Sequence, residues 1–210
     1  MKYSIENAKK ILSKSIDIYS IKQIGEGNHS QAFLINNNFV AKLPKHKKAS
    51  NCLITEIKVL KALKDKVLLT IPTVEFEGKF VQDDDIFVFY ISKVVKGQKL
   101  NKSKFLKLDK KTNRKNAKII AEFLYRLHSH KEILGAKRKD YCLLHGDFSL
   151  NHCLFNDKFE ICGIIDFGDS RIGKAMSDFV YLLDDEDEEE FGLEFGKQVL
   201  EYYKGITYGD

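Results

Sequence analysis

The sequence predicts an α+β protein in two lobes: an antiparallel sheet with a helix over residues 1–95, then a compact, mainly helical lobe over residues 96–210. Three observations carry this. Between residues 18 and 95, apolar and polar residues alternate in runs separated by Gly-, Asn- and Asp-rich turns, the period of strands. Other stretches place apolar residues three and four apart, the period of helices. Finally, two short apolar runs, Leu143-Leu144 and Ile161–Ile165, lead into Asp147 and Asp166, with a polar loop between them.

The first helix falls over residues 4–16, where Ile5, Ala8, Leu12 and Ile16 share a face and Ser4 is placed to cap it. Alternation begins at Ile18 and runs into Gly25-Glu26-Gly27-Asn28-His29-Ser30. Two glycines between strand-like runs let backbone approach a phosphate, and small polar residues such as Ser30 can donate to it; a simple hairpin turn explains the same letters. Asn36-Asn37-Asn38 turns the chain into Phe39–Pro44. Within that apolar strand Lys42 must either reach solvent or meet an anion. A helix starting near Ser50 buries Leu53, Ile57, Leu60 and Leu63 and carries Glu56, fourteen positions after Lys42. Strands over Ile71–Phe80 and Ile86–Val95, joined by Asp83-Asp84-Asp85, complete the sheet.

In the second lobe, Thr112–His130 is an amphipathic helix with Ala117, Ile120, Ala121, Leu124 and Leu127 on one face and His128 beside it, the position of a satisfied core histidine. A basic linker, Lys131–Asp140, precedes Leu143-Leu144-His145-Gly146-Asp147-Phe148-Ser149-Leu150-Asn151-His152. Phosphoryl transfer needs one carboxylate to orient and deprotonate a hydroxyl and another to hold a charge-neutralising metal. Asp147 suits the first role and Asp166 the second. His145 is placed to brace the loop, and Asp169 to hold a metal-bound water or cap a turn. Asp184–Glu190 is a run of seven acids before a final helix, Phe191–Tyr203. It reads equally as a wall attracting a polycation or as a solvated loop favouring the helix N-terminus.

Composition excludes little but usefully. Of 210 residues, 43% are hydrophobic and 31% charged, ordinary for a folded chain able to bury a core. The net charge of +5 comes from scattered lysines and suits nucleotide phosphates as readily as nucleic acid. Lys99–Lys118 is basic but lacks the repeated aromatics that stack bases, so a nucleic-acid partner is not expected. No run is long enough to span a membrane and no leader peptide is evident. Cys52, Cys142, Cys153 and Cys162 show no CxxC spacing and read as reduced thiols, which points to a cytoplasmic protein without a zinc site.

His145-Gly146-Asp147, a ligand candidate at His152 and Ile165-Asp166-Phe167-Gly168 together resemble the antibiotic-kinase branch of the protein-kinase-like superfamily. His152, where most relatives have Asn, and the run Ile161–Asp169 resemble the aminoglycoside 2''-phosphotransferases. The resemblance implies a two-lobed protein-kinase-like fold with a reduced C-terminal lobe. The short linker and the end at Asp210 leave out helices that larger relatives use in the substrate pocket. It implies ATP or GTP as phosphoryl donor, Mg2+ or Mn2+ held by His152 and Asp166, and Asp147 as catalytic residue. Gly25, Gly27, Ser30, Lys42 and its ion-pair partner Glu56 would hold nucleotide, with backbone of Lys93 and Val95 on the purine edge. Asp178 resembles a buried carboxylate that braces the catalytic loop. The acceptor expected is a hydroxyl of a small molecule, an aminoglycoside first. The alternatives are a minimal atypical protein kinase or ATPase working with a protein or RNA-processing partner, and a nucleotide-binding module without turnover.

Overall fold

A computed structural model describes residues 1–208. The chain forms two compact units, Met1–Lys61 with Pro72–Val94, and Ala62–Ile71 with Val95 onwards.

The first unit is a five-stranded antiparallel sheet of order β1-β2-β3-β5-β4, from β1 (Ile21–Glu26), β2 (Ser30–Ile35), β3 (Phe39–Pro44), β4 (Val74–Gln82) and β5 (Asp85–Lys93). Helix α1 (Ile5–Leu12) starts at Ser4, whose side chain accepts the Asn7 N–H. Its Ala8 and Leu12 close a core with Phe33, Ile35, Ala41, Leu43, Phe89 and Ile91, every second residue of three strands and therefore one sheet face. Buried Gln31 ties the N-terminal segment to this sheet, accepting the Tyr3 N–H at 2.7 Å and donating to the Tyr3 carbonyl at 3.2 Å.

Asn36 and Asn37 both adopt the left-handed conformation, as do Asp83 and Asp84. These are the two hairpin turns where short polar side chains tolerate positive φ. Asp85 is thus a strand residue and not part of the turn, and the adjoining strands run Val74–Gln82 and Asp85–Lys93 rather than 71–80 and 86–95. Helix α2 (Lys47–Leu63) begins three residues before the expected Ser50, because the His46 imidazole, not a usual capping group, accepts the Ala49 N–H at 3.1 Å.

The second unit packs α4 (Lys110–Ser129) against α6 (Leu193–Tyr208), with short helices α3 (Lys102–Phe105) and α5 (Val180–Leu183) beside them. Asp109 caps α4 through the amides of Lys111 and Thr112, so the helix starts before Thr112. The last helix starts at Leu193 and runs past Tyr203. Two strand pairs complete the unit: β6 (Cys142–Leu144) with β9 (Arg171–Gly173), and β7 (Cys153–Phe155) with β8 (Ile161–Ile164). The 62–71 segment adds to β8, where the Thr70 N–H donates to Cys162 and the Ile164 N–H to Thr70. Asn116, buried on α4, donates to the Phe159 carbonyl and accepts the Ile161 N–H, fixing the β7–β8 turn. A chain of phenylalanines fills the core: Phe148 stacks between Phe123 and Phe191, and Phe105 meets Phe155, Phe191 and Phe195.

All four cysteines are free thiols, and among the described residues no helix is long and apolar enough to cross a membrane.

Candidate active site

β6 delivers His145-Gly146-Asp147 to the head of the second unit. The turn is held from beneath by Asp178, which is 1% exposed. Its carboxylate accepts the His145 N–H at 2.8 Å, the Gly146 N–H at 2.9 Å and the His128 Nε2–H at 3.1 Å. The Tyr203 hydroxyl meets the other His128 nitrogen at 2.9 Å. Burial alone would raise the Asp178 pKa, but the His128 hydrogen bond, the two histidine rings and the Gly146 amide outweigh it and hold the group below its ordinary value. Gly146 sits at φ +91°, and a Cβ there would run into the Asp169 carbonyl and the Arg171 guanidinium. Only glycine fits.

His145 is fully enclosed and donates from Nε2 to the Ile165 carbonyl at 3.2 Å, joining the 145–152 loop to the segment before Asp166. Its ring packs on Phe167 and Phe148. Burial, then the neighbouring His152, pushes its pKa below the usual imidazole value. A buried ring so engaged braces the loop and offers no accessible base.

Asp147 is different: one third of its side chain is open to solvent while the Phe148 that follows is locked in the core. A 3-10 turn, Leu150–His152, then brings His152 back beneath Asp147. Its Nδ1 donates to the Asp147 carbonyl at 2.7 Å, which turns Nε2 towards Asp166 Oδ2 at 3.7 Å. Asp166 takes φ +70°, a conformation rarely adopted outside glycine, and is half exposed. Strain of this kind persists where surrounding structure demands it. Among the described residues no three His, Cys, Asp or Glu side chains cluster as a complete metal site. Of the two side chains, Asp166 offers the oxygen that a hard cation prefers, whereas the His152 imidazole suits a softer metal.

In the first unit, Lys42 Nζ lies 2.7 Å from Glu56 Oε1, the lysine 13% and the glutamate 0% exposed. The Gly27 N–H donates to the Ser30 carbonyl at 3.0 Å and closes the glycine loop. Gly25 sits at a bulge in β1, and the space beside Gly27 is open to 4.0 Å. The Lys93 N–H is committed to the Thr73 carbonyl at 3.0 Å, which removes it as a donor to a purine. Val95 packs its side chain over Gly163.

Residues 130–209 match the phosphotransferase enzyme family. The whole chain superposes on an aminoglycoside phosphotransferase, APH(2")-IIa in its ternary complex with streptomycin and ATP, with a TM-score of 0.79 and 26% identity, covering 100% of this chain and 84% of that one. Similar agreement is found with ADP-bound APH(2'')-Ib (TM-score 0.78, 27% identity, 93% of this chain and 80% of that one). An APH(2") enzyme in complex with GDP and kanamycin also matches (0.80, 25%, 96% and 83%). The chain has the fold of the aminoglycoside phosphotransferases.

Within that fold, several residues that sequence reasoning passed over shape the site. Arg171 donates to the Gly146 carbonyl at 2.8 Å and the Asp169 carbonyl at 3.2 Å, strapping the two acidic segments together. Asp169 itself is exposed at the turn. Tyr181 stands beside Asp147, whose charge, backed by burial and a hydrogen bond to the same carboxylate, raises the phenol's pKa. The acidic run is organised by Lys102, whose ammonium meets Asp185 at 2.9 Å, the Asp187 carbonyl at 2.7 Å and Glu190 at 3.8 Å. The Leu150 N–H donates to the Glu189 carbonyl, so the run abuts the 145–152 loop.

Proposed function

We propose that this phosphotransferase moves the γ-phosphate of ATP or GTP to a hydroxyl of a small molecule, with an aminoglycoside the first acceptor to test. The observation that carries the reading is Asp147: a carboxylate one third open to solvent, on a loop anchored by buried His145, Phe148, Ser149 and Leu150. A carboxylate so placed orients an incoming hydroxyl and takes its proton as the bond to phosphorus forms. His152 Nε2 and Asp166 would hold Mg2+ or Mn2+, which would neutralise phosphate charge. Lys42, fixed by Glu56, supplies a positioned cation for phosphate oxygens, and the loop at Gly25, Gly27 and Ser30 supplies close backbone. Catalysis of this kind is positioning and charge stabilisation.

A polycationic acceptor suits the exposed carboxylates of Asp184–Glu189, which abut the loop bearing Asp147. The likeness to enzymes solved with streptomycin and with kanamycin supports the same class. The test is phosphoryl transfer from ATP and GTP separately across an aminoglycoside panel, with product read by mass and Asp147→Ala as control. Phosphorylated drug that disappears in the control supports the reading. Nucleotide turnover without drug product rejects the aminoglycoside.

A further inference from the structure

The glycine loop is fastened to the segment that opens α2. Lys45 donates its backbone N–H to the His29 carbonyl at 2.7 Å, and its ammonium to the Gly27 carbonyl at 2.7 Å and to Glu26 at 2.9 Å. His46 adds a ring-to-ring contact. Its Nδ1 accepts the Ala49 N–H, so its ring proton lies on Nε2, which stands 3.2 Å from His29 Nδ1. The two imidazoles meet edge to face, centroids 5.2 Å apart. One imidazole therefore caps the helix and holds the loop at once. That same helix carries Glu56, which holds Lys42. A continuous strut runs from Gly27 and His29 through Lys45 and His46 into α2 and on to the Lys42–Glu56 pair.

A hairpin that were only a turn would need none of this. Gly25 and Gly27 give the loop conformational freedom that a bound phosphate must remove, at a cost in affinity. A loop already pinned at two carbonyls and two side chains has lost much of that freedom beforehand. We propose that His46 and Lys45 are positioning residues for the nucleotide: they hold the 25–30 loop in its phosphate-receiving posture and lock it to the helix that orders Lys42. This rests on the nucleotide-dependent reading above.

The test is ATP and GTP binding by calorimetry with magnesium present and no acceptor, on the whole chain, for wild type, His46→Asn, His29→Ala and the double variant. Asn retains an oxygen for the Ala49 amide but cannot reach His29; His29→Ala alters an exposed tip and leaves the helix cap untouched. Each single variant is expected to weaken nucleotide binding by roughly three- to ten-fold, the range of one hydrogen bond. The double should lose no more than the worse single, since both remove one contact. In turnover, nucleotide KM should rise while acceptor KM and kcat hold within about twofold, a split that general destabilisation would not produce. Wild-type affinity in either folded single variant, or fully additive losses, overturns the proposal. If wild type itself binds neither ATP nor GTP, the functional reading fails along with it; if wild type binds and the variants match it, only the strut fails.

Discussion

Asp178→Ala offers the sharpest test of how the catalytic turn is built. The substitution removes the single acceptor for three buried donors: the His145 and Gly146 amides and the His128 ring. Each orphaned donor costs about 1–3 kcal/mol, and breaking a buried charged contact as a unit costs about 3–5 kcal/mol, so the lower end of the sum is the firmer figure. A loss of about 3–5 kcal/mol is a large share of the roughly 5–15 kcal/mol that holds a protein folded. For a chain of this length it should lower the melting temperature by about 6–20 °C. Asp178→Asn, which keeps one oxygen and the shape, should lose less. The assay is paired thermal and urea denaturation, with activity at a temperature where every variant is folded. Activity should fall even there, because Asp147 is aimed by the turn that Asp178 holds. A loss under about 1 kcal/mol for the alanine variant would show that the amides are satisfied without Asp178, and the bracing argument would be wrong.

Other expectations follow from the same geometry. Glu56→Gln should cut turnover at least about tenfold by loosening Lys42, and should raise nucleotide KM more than acceptor KM; equal effects on both would count against a phosphate role. His152→Asn exchanges an imidazole for a hard oxygen ligand and should shift the ratio of magnesium- to manganese-supported turnover several-fold towards magnesium. An unchanged ratio removes His152 from the metal. Gly196→Ala would drive a methyl into the Leu182 carbonyl where α6 crosses α5, and should destabilise the second unit by about 1–3 kcal/mol as read by the urea midpoint. His145 has its pKa lowered in the folded protein, so between that value and about 6.5 the unfolded chain binds the extra proton. Stability should therefore be retained above about pH 6.5 and decline below it, by up to about 1.4 kcal/mol per pH unit, with a flatter profile in His145→Gln.

The sheet and the helix phases were legible because each rests on a local period, while the Lys42–Glu56 pair came with the family resemblance. Alternation turns Ala41 and Leu43 to one core and Lys42 away from it, and the 3.6-residue period puts Glu56, three after Leu53 and four before Leu60, on the buried side of its helix. Asp178 and His128 were legible one at a time, but not as partners 50 residues apart. The helix boundary at Lys47 was missed because histidine is a poor signal for a cap. Arg171, Lys102 and the His29–His46 contact left no trace in composition or spacing. Each joins segments distant in sequence through one long or aromatic side chain, and only the folded backbone decides which carbonyl or ring lies within reach. The acidic run is the middle case. Its charge was plain, yet the lysine that gathers it, Lys102, lies 83 positions before the first acid that it binds, Asp185.

The 62–71 segment has a consequence for anyone who would cut or recombine this gene. Neither compact unit is a continuous stretch of sequence, since the second borrows ten residues from within the first. A fragment beginning at Val95 would arrive without Thr70, leaving the Cys162 carbonyl and the Ile164 N–H at the rim of β8 without their backbone partners. An exposed rim of that sort invites pairing with a neighbouring molecule, so the fragment should aggregate. A chimera joined at residue 94 would bring a foreign strand to the same rim. Exchange between relatives is therefore best tolerated when the donor of the later residues also supplies 62–71, which makes this short internal stretch an inherited companion of the catalytic loop rather than of its immediate neighbours in the chain.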